Sequence, residues 1–176
     1  MLFLGIDPGL HITGYGLVEV KLGRLILKEA GVLRMKCKAS LPERLAELHE
    51  AVRGLIEETK PDRIGVEQLF AHYKHPRTAI LMGHARGVIL LAGAQNHIAV
   101  TSLPSTLVKK AITGNGHASK QQVQRAVASM CHLAKPPEPP DVADAIAIAW
   151  TLAEHILHDR KLPAKPLSPP TRRSPK

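Results

Sequence analysis

The sequence predicts an α/β fold in which a five-stranded mixed sheet, three antiparallel strands followed by two parallel ones, is flanked by helices. Three observations predict it. Apolar runs near the N-terminus are separated by short Gly- and Pro-containing turns, as in a strand meander. A long segment with helical periodicity then leads to another short apolar run, and a strand that follows a helix in this way pairs in parallel. The second half of the chain has mainly helical spacing.

The first strand is the apolar run that ends at Asp7, because Leu, Phe and Ile bounded by Gly and Pro indicate a buried strand. The next two strands are predicted over Thr13–Val20 and Arg24–Lys36, with Lys21–Gly23 as the turn between them. These three strands form an antiparallel meander. Asp7 is then expected at the exposed end of a central strand, where open sheets build their sites, although Asp-Pro-Gly is also an ordinary turn sequence.

Leu41–Thr59 carries leucine, valine and isoleucine at helical spacing, with Ser40 or Pro42 near its start, and predicts a surface helix with one buried face. It leads to a parallel strand at Arg63–Glu67, which ends in an acid as the first strand does. A polar and aromatic loop, Phe70–Pro76, follows.

The rest of the chain predicts one strand and four helices. The first helix, Arg77–Ala94, is apolar nearly all round in its second half and carries Gly83 and Gly87, so we expect it to be covered on more than one side. We predict that it forms the interface of a two-fold homodimer. The remaining predicted elements are a strand at Ile98–Ser102 and helices at Ser105–Ile112, Ser119–His132 and Asp141–Leu157.

At 176 residues, the chain is predicted to form one domain over residues 1–159 and a basic, proline-rich disordered tail over 160–176. No run approaches a membrane span, and no basic segment precedes the first apolar run, so we expect an unprocessed cytoplasmic protein. Cys37 and Cys131 lack zinc-site spacing and are expected to be reduced packing residues.

The net charge of +9 is distributed unevenly along the chain. Residues 1–67 balance ten basic against ten acidic side chains, whereas residues 68–137 hold eight basic side chains and no acid. Residues 138–159 hold five acids without Lys or Arg, and residues 160–176 hold six basic side chains without an acid. Such an acid-free span indicates a surface that faces a polyanion, with nucleic acid as the leading candidate. Its candidate phosphate contacts are Lys109, Lys110, Lys120 and Arg125.

Asp141 and Asp144 stand at i and i+3 in the predicted last helix, so both carboxylates lie on one face. Such a pair also resembles a capping box and suits the helix dipole. The combination with Asp7 and Glu67, at the ends of neighbouring parallel strands, instead favours a site for two hard divalent cations. Such a site suits phosphodiester cleavage. Phe70 is a candidate for stacking on an unpaired base, with burial in the core as the alternative.

The chain closely resembles the RuvC family of Holliday junction resolvases, within the RNase H-like nuclease superfamily. The resemblance runs from Leu4 to about Ala153 and rests on GIDPG with TGYG, VEQLF, GHARGV, VKKAITGNGHASKQQV and DVADAIAIA, in that order. At matching positions it implies a catalytic and metal-binding quartet of Asp7, Glu67, Asp141 and Asp144, and junction-facing residues Phe70, Lys109 and Lys120.

The resemblance implies paired, metal-dependent incision of four-way DNA junctions during recombination and repair. It further implies two Mg²⁺ or Mn²⁺ ions per site, 5′-phosphate and 3′-hydroxyl products, and a branch-migration helicase partner. Two alternatives stay open. The first is a non-enzymatic basic DNA-binding protein in which the acids serve caps and turns. The second is an actin-like ATP-binding phosphotransferase, which is less favoured because no later strand ends in Asp-x-Gly.

Overall fold

The computed structural model describes residues 1–36, 38–69 and 76–161. Cys37, the loop with Phe70 and most of the predicted tail lie outside the described residues. The elements in chain order are β1 (Leu2–Asp7), β2 (Ile12–Lys21), β3 (Arg24–Arg34), α1 (Leu41–Thr59), β4 (Arg63–Glu67), α2 (Pro76–Gln95), β5 (Val100–Leu103), α3 (Ser105–Thr113), α4 (Lys120–Met130) and α5 (Pro140–Lys161).

The strands form a five-stranded sheet in the order β3-β2-β1-β4-β5. β1 pairs antiparallel with β2, and β2 with β3, whereas β1 with β4 and β4 with β5 are parallel. The predicted mixed sheet is therefore confirmed, and the predicted bounds of α1 and β4 match the observed ones.

Several element ends differ from the prediction for local reasons. β5 begins at Val100 rather than Ile98, because the Ile98 N–H donates to the Gly93 carbonyl (2.9 Å) at the end of α2. β3 ends at Arg34, the register partner of Ile12 in β2, rather than at Lys36, because the Lys36 N–H leaves the sheet and donates to the Glu47 Oε2 of α1 (2.9 Å). Both ends are set by hydrogen-bond partners that the apolar pattern does not reveal.

The helices of the second half also differ slightly from the predicted spans. α4 begins at Lys120 because Ser119 is its N-cap, with the Ser119 Oγ accepting from the Gln122 N–H (3.3 Å). α5 runs from Pro140 to Lys161 and so passes Asp159, where the predicted domain ends.

The two faces of the sheet pack against different helices, because alternate residues of a strand point to opposite sides. Leu4 and Ile6 of β1 belong to a core formed with α1 and α2. Phe3 belongs to a second core, formed with α3, α4 and α5. Gly5 and Asp7 follow Phe3 on this second face, and Asp7, at the end of the strand, lines a pocket.

A row of three glycines allows α5 to lie close to the sheet. Gly16, Gly5 and Gly65 are register partners on the neighbouring strands β2, β1 and β4. A Cβ at Gly5 would overlap the Ala145 carbonyl oxygen, and one at Gly16 would lie 2.8 Å from the Ile146 Cα. The backbone of α5 therefore packs directly against the strand backbones, which fixes the height of this helix above the sheet.

Cys131 was predicted to be a reduced packing residue. Cys131 is half-buried and packs against the core under α5, and burial raises the pKa of its thiol to about 11. A packing role agrees with this environment.

Among the described helices, none combines the length and the apolar character that crossing a membrane requires.

Candidate active site

Four carboxylates line one pocket of about 220 Å³ at an edge of the sheet. Asp7 ends β1 and Glu67 ends β4, each one residue beyond the paired residues Ile6 and Val66. The other two carboxylates, Asp141 and Asp144, come from the first two turns of α5. The structure thus brings together the four carboxylates that were predicted from the sequence to form the catalytic and metal-binding site.

Gly14 allows the start of α5 to reach the level of Asp7. Gly14 pairs with Asp7 across β1 and β2, and a Cβ on it would overlap the backbone carbonyl oxygen of Asp141. Because α5 begins at Pro140, Asp141 is an acid of the first helical turn, where it suits the helix dipole, rather than the N-cap of α5.

The pocket holds more negative charge than its surroundings balance. Asp7 is 9 % exposed, and burial raises its pKa to about 8, with a further upward contribution from the Asp144, Glu67 and Asp141 carboxylates. Burial likewise raises the pKa of Glu67 and of Asp144. Carboxylates held together in a poorly solvated pocket oppose each other's ionisation unless a cation is present.

Two lysines border the same pocket and partly balance this charge. The Lys120 Nζ lies 3.7 Å from the Asp144 Oδ2, at the N-terminus of α4. Lys109 of α3 also lines the pocket. Both ammonium groups act to lower the pKa of Glu67 and of Asp144, against the larger effect of burial.

The other residues that were predicted to contact DNA do not line the carboxylate pocket. Lys110 is exposed and borders a separate groove between α3 and the loop that follows it, together with Asn115 and His117. Arg125 is exposed on α4 and borders neither depression. Phe70 is outside the described residues. The structure therefore brings Lys109 and Lys120, but neither Lys110 nor Arg125, to the carboxylates.

The uncharged residues of the pocket were not predicted as site residues from the sequence. Ser105 lines the pocket with Glu67, and its hydroxyl acts to lower the pKa of Glu67 against the larger effect of burial. Its position was predictable in principle, because Ser105 lies two residues after the end of β5, and the ends of parallel strands share one edge. Met82 of α2 also lines the pocket, and nothing in the sequence distinguishes it from the other apolar residues of that helix. The remaining lining residues are Pro8, Val108, Val123 and Ile148.

The donor set suits a hard divalent cation. Among residues 1–36, 38–69 and 76–161, no three His, Cys, Asp or Glu side chains are arranged closely enough to hold a metal ion. The four carboxylates nevertheless share a pocket, and carboxylate oxygen is the ligand that Mg²⁺ and Mn²⁺ prefer. Burial, and then the neighbouring carboxylates, raise the pKa of Asp7, and a bound cation would oppose both effects by favouring the ionised carboxylate.

Comparison with known proteins places the chain among nucleases. Residues 3–152 match the family model described as crossover junction endodeoxyribonuclease RuvC. The chain is 51 % identical over 154 residues to the protein of that name from Rhodopirellula baltica, covering 88 % of this chain and 85 % of the relative. It is 41 % identical over 165 residues to the Pelotomaculum thermopropionicum protein, covering 94 % and 100 %.

A solved structure agrees with these relatives. The Thermus thermophilus RuvC structure in complex with a Holliday junction substrate superposes with a TM-score of 0.82 at 31 % identity. The alignment covers 90 % of this chain and 96 % of that one. The predicted RNase H-like fold is thereby confirmed.

Proposed function

The chain belongs to the RuvC family of crossover junction endodeoxyribonucleases, and we propose that it resolves four-way DNA junctions by divalent-metal-dependent hydrolysis of one phosphodiester bond on each of two strands. The observation that carries the proposal is the pocket that Asp7, Glu67, Asp141 and Asp144 share with Lys109 and Lys120. Acidic ligands next to basic phosphate contacts are what metal-assisted cleavage of a polyanion needs.

In this proposal the four carboxylates hold two Mg²⁺ or Mn²⁺ ions. When bound, such ions supply Lewis-acid activation of the attacking water and charge stabilisation at the leaving 3′ oxygen, which gives 5′-phosphate and 3′-hydroxyl ends. The protein orients these ions with carboxylates from the rigid ends of β1 and β4 and from α5. Lys120 and Lys109 offset the remaining negative charge and allow the phosphodiester backbone to approach acids that would otherwise repel it.

The decisive experiment is a cleavage assay with labelled four-way junctions, linear duplexes and flaps, in Mg²⁺, in Mn²⁺ and in EDTA. We expect symmetrically paired incisions in the junction with either metal and none in EDTA. Binding without incision would favour a non-enzymatic DNA-binding protein. ATP hydrolysis without nuclease activity would favour the phosphotransferase alternative.

We also propose that the protein acts as a two-fold dimer through α2. One side of this helix packs into the core through Ala85, Ile89 and Ala92. Ile80 and Leu91 are 61 % and 51 % exposed, about three turns apart on the opposite side. Exposed glycines, Gly83 and Gly87, lie between them and allow a second helix to approach closely. A dimer matches the approximate two-fold symmetry of a four-way junction and provides one site per cleaved strand.

Sedimentation tests this interface. We expect a dimer at micromolar concentration, and Leu91→Glu should dissociate it and abolish paired incision. Leu22→Glu is the matched control, because Leu22 is 95 % exposed at the tip of the β2–β3 turn, away from α2. A parent protein that is monomeric yet makes paired incisions would contradict the dimer.

The basic residues are proposed to bind phosphates without reading sequence. If Lys109, Lys110, Lys120 and Arg125 contact phosphates, each substitution by Ala should reduce the log–log salt slope of junction binding by about 0.9. Phe70→Ala should instead lower the cleavage rate with the slope intact, because stacking releases no counterion. Unchanged slopes for the four basic residues would assign them to a solvated surface.

A branch-migration helicase partner stays a prediction from family membership.

A further inference from the structure

Arg86 of α2 links the ends of two parallel strands, next to the carboxylate pocket. The residue is half-buried, and its Nε donates to the backbone carbonyl oxygen of Glu67 (3.1 Å). Its Nη2 donates to the Oγ of Ser102 in β5. The guanidinium thus reaches from one face of the sheet to the strand edge at which the site is built, although it does not line the pocket itself.

The peptide that follows Glu67 is consequently held from two sides. The Gln68 N–H donates to the Leu103 carbonyl oxygen of β5 (2.8 Å), and the Glu67 carbonyl accepts from Arg86. Hydrogen bonds from a charged donor are stronger than those between neutral groups. Only two methylene groups join the Glu67 carboxylate to this backbone, so fixing the peptide limits the region that the carboxylate can reach.

We infer that Arg86 is a positioning residue, which holds Glu67 where its carboxylate can ligate a divalent cation. The inference rests on the proposed function of the pocket and adds to it a residue that contacts neither the DNA nor the cation. Met82, one turn earlier on α2, borders the pocket, and the exposed side of the same helix carries the proposed dimer interface. Arg86 therefore fixes Glu67 relative to the helix that would meet the second subunit.

The test measures Mn²⁺ binding to the full chain by calorimetry, without DNA, beside junction binding in EDTA and single-turnover cleavage over a range of Mn²⁺ concentrations. Arg86→Met removes both donors and keeps most of the aliphatic stem. Arg53→Met is the matched control, because Arg53 of α1 is half-buried like Arg86 but pairs its charge with Glu50 and Glu57. We expect Arg86→Met to weaken Mn²⁺ binding by about 10-fold, in the range seen when partners of metal ligands are removed.

Other readouts separate positioning from general stability. In Arg86→Met, junction affinity in EDTA should equal that of the parent, and higher Mn²⁺ should restore part of the cleavage rate. Arg53→Met should match the parent in all three measurements. A lower melting temperature with unchanged Mn²⁺ affinity would assign Arg86 a structural role alone and would overturn the inference.

A double-mutant cycle asks whether Arg86 acts through Glu67. In a Glu67→Gln background, Arg86→Met should cause no further loss of Mn²⁺ affinity, since the ligand that it positions is already gone. Equal losses in both backgrounds would overturn the inference. Should Arg86→Met fail to fold, Arg86→Lys permits the same cycle, because a lysine keeps the charge but cannot span both acceptors.

The same measurements distinguish this inference from the proposed function. A parent protein that neither binds Mn²⁺ nor cuts junctions would refute the proposed function. A parent that does both, with Arg86→Met and Arg86→Lys indistinguishable from it, would refute the role of Arg86 alone.

Discussion

The two faces of the sheet use the same strands for different purposes. On the face of α1 and α2, β1 and β4 present Leu4, Ile6, Ile64 and Val66, all fully buried. On the face of α5, the same strands present Gly5, Gly65 and then two acids. Both faces contain an apolar core, but beyond Phe3 the strands give up side-chain volume on the α5 face and end in acids, so that this helix can bring its own carboxylates close to them. Near the site, packing and chemistry are therefore carried by opposite faces of the same strands.

Neutralising the acids on the α5 face of the sheet should cause the largest loss of junction cleavage. Asp141→Asn and Asp144→Asn keep side-chain size and capping ability but remove the charge that a cation needs, so cleavage should fall by several orders of magnitude while the fold persists. Asp7→Asn and Glu67→Gln should behave alike. Junction binding in EDTA should be as tight as in the parent or tighter, because an acid that repelled phosphate has been neutralised.

Circular dichroism and gel-shift assays provide the controls for these four variants. Near-parent cleavage by Asp141→Asn and Asp144→Asn, in both Mg²⁺ and Mn²⁺, would mean that the proposed four-carboxylate site is wrong. Loss of folding in these variants would contradict the separation of packing from chemistry near the site.

A smaller effect on activity is expected from adding a single methyl group beneath α5. Gly14→Ala must push the start of α5 away from β2, because its Cβ would overlap the Asp141 carbonyl oxygen. Misplacing a catalytic group by about 1 Å can cost about 100-fold in rate, and we expect a loss of that order in single-turnover cleavage. Gly54→Ala is the control, since a Cβ there meets nothing within 4 Å and should leave cleavage unchanged. Equal rates for the two variants would show that the glycine contact does not set the position of Asp141.

On the opposite face, substitution should affect stability without disabling the site. Ile64 is fully buried in the core with α1 and α2, so Ile64→Ala should lower the free energy of unfolding by about 2–5 kcal/mol in denaturant titrations. Below its melting temperature this variant should still cut junctions. If it folds fully but has lost cleavage, the two faces are not independent.

The smallest predicted effect concerns pH in the absence of metal. The folded-state pKa of Asp7 is raised from 3.8 to about 8, so the folded state favours the protonated acid. This contribution to stability is fully present below the unfolded pKa and is lost as the pH rises through about 8. In EDTA at pH 8, Asp7→Asn should therefore melt a few degrees above the parent, and the difference should shrink near pH 4.

Magnesium provides the control for the pH prediction. At pH 8, Mg²⁺ should raise the melting temperature of the parent more than that of Asp7→Asn, because the cation replaces the proton as the counter-charge. Melting curves of parent and variant that coincide in EDTA at both pH values would show that the Asp7 carboxylate is not destabilising there.

The sequence predicted the elements whose signals are local. α1 and β4 have the predicted bounds because a serine and two prolines mark the ends of the helix and a short apolar run marks the strand. The start of β5 was predicted too early, since Ile98 has the apolar character of a strand residue but bonds back to the end of α2. A hydrogen-bond partner of that kind is visible only once the chain is folded.

For the site, local sequence patterns were enough to predict which residues carry charge and on which kind of element each one lies. Asp7 and Glu67 follow buried strands, and Asp141 and Asp144 share one face of a helix. How close these groups come, and which contacts hold them in place, depends on the packing of distant elements. The role of Gly14 follows from its contact with the Asp141 backbone, and that of Arg86 from its hydrogen bond to the Glu67 carbonyl oxygen. Each partner is distant in sequence, and contacts of that kind are created by packing, so no local pattern records them.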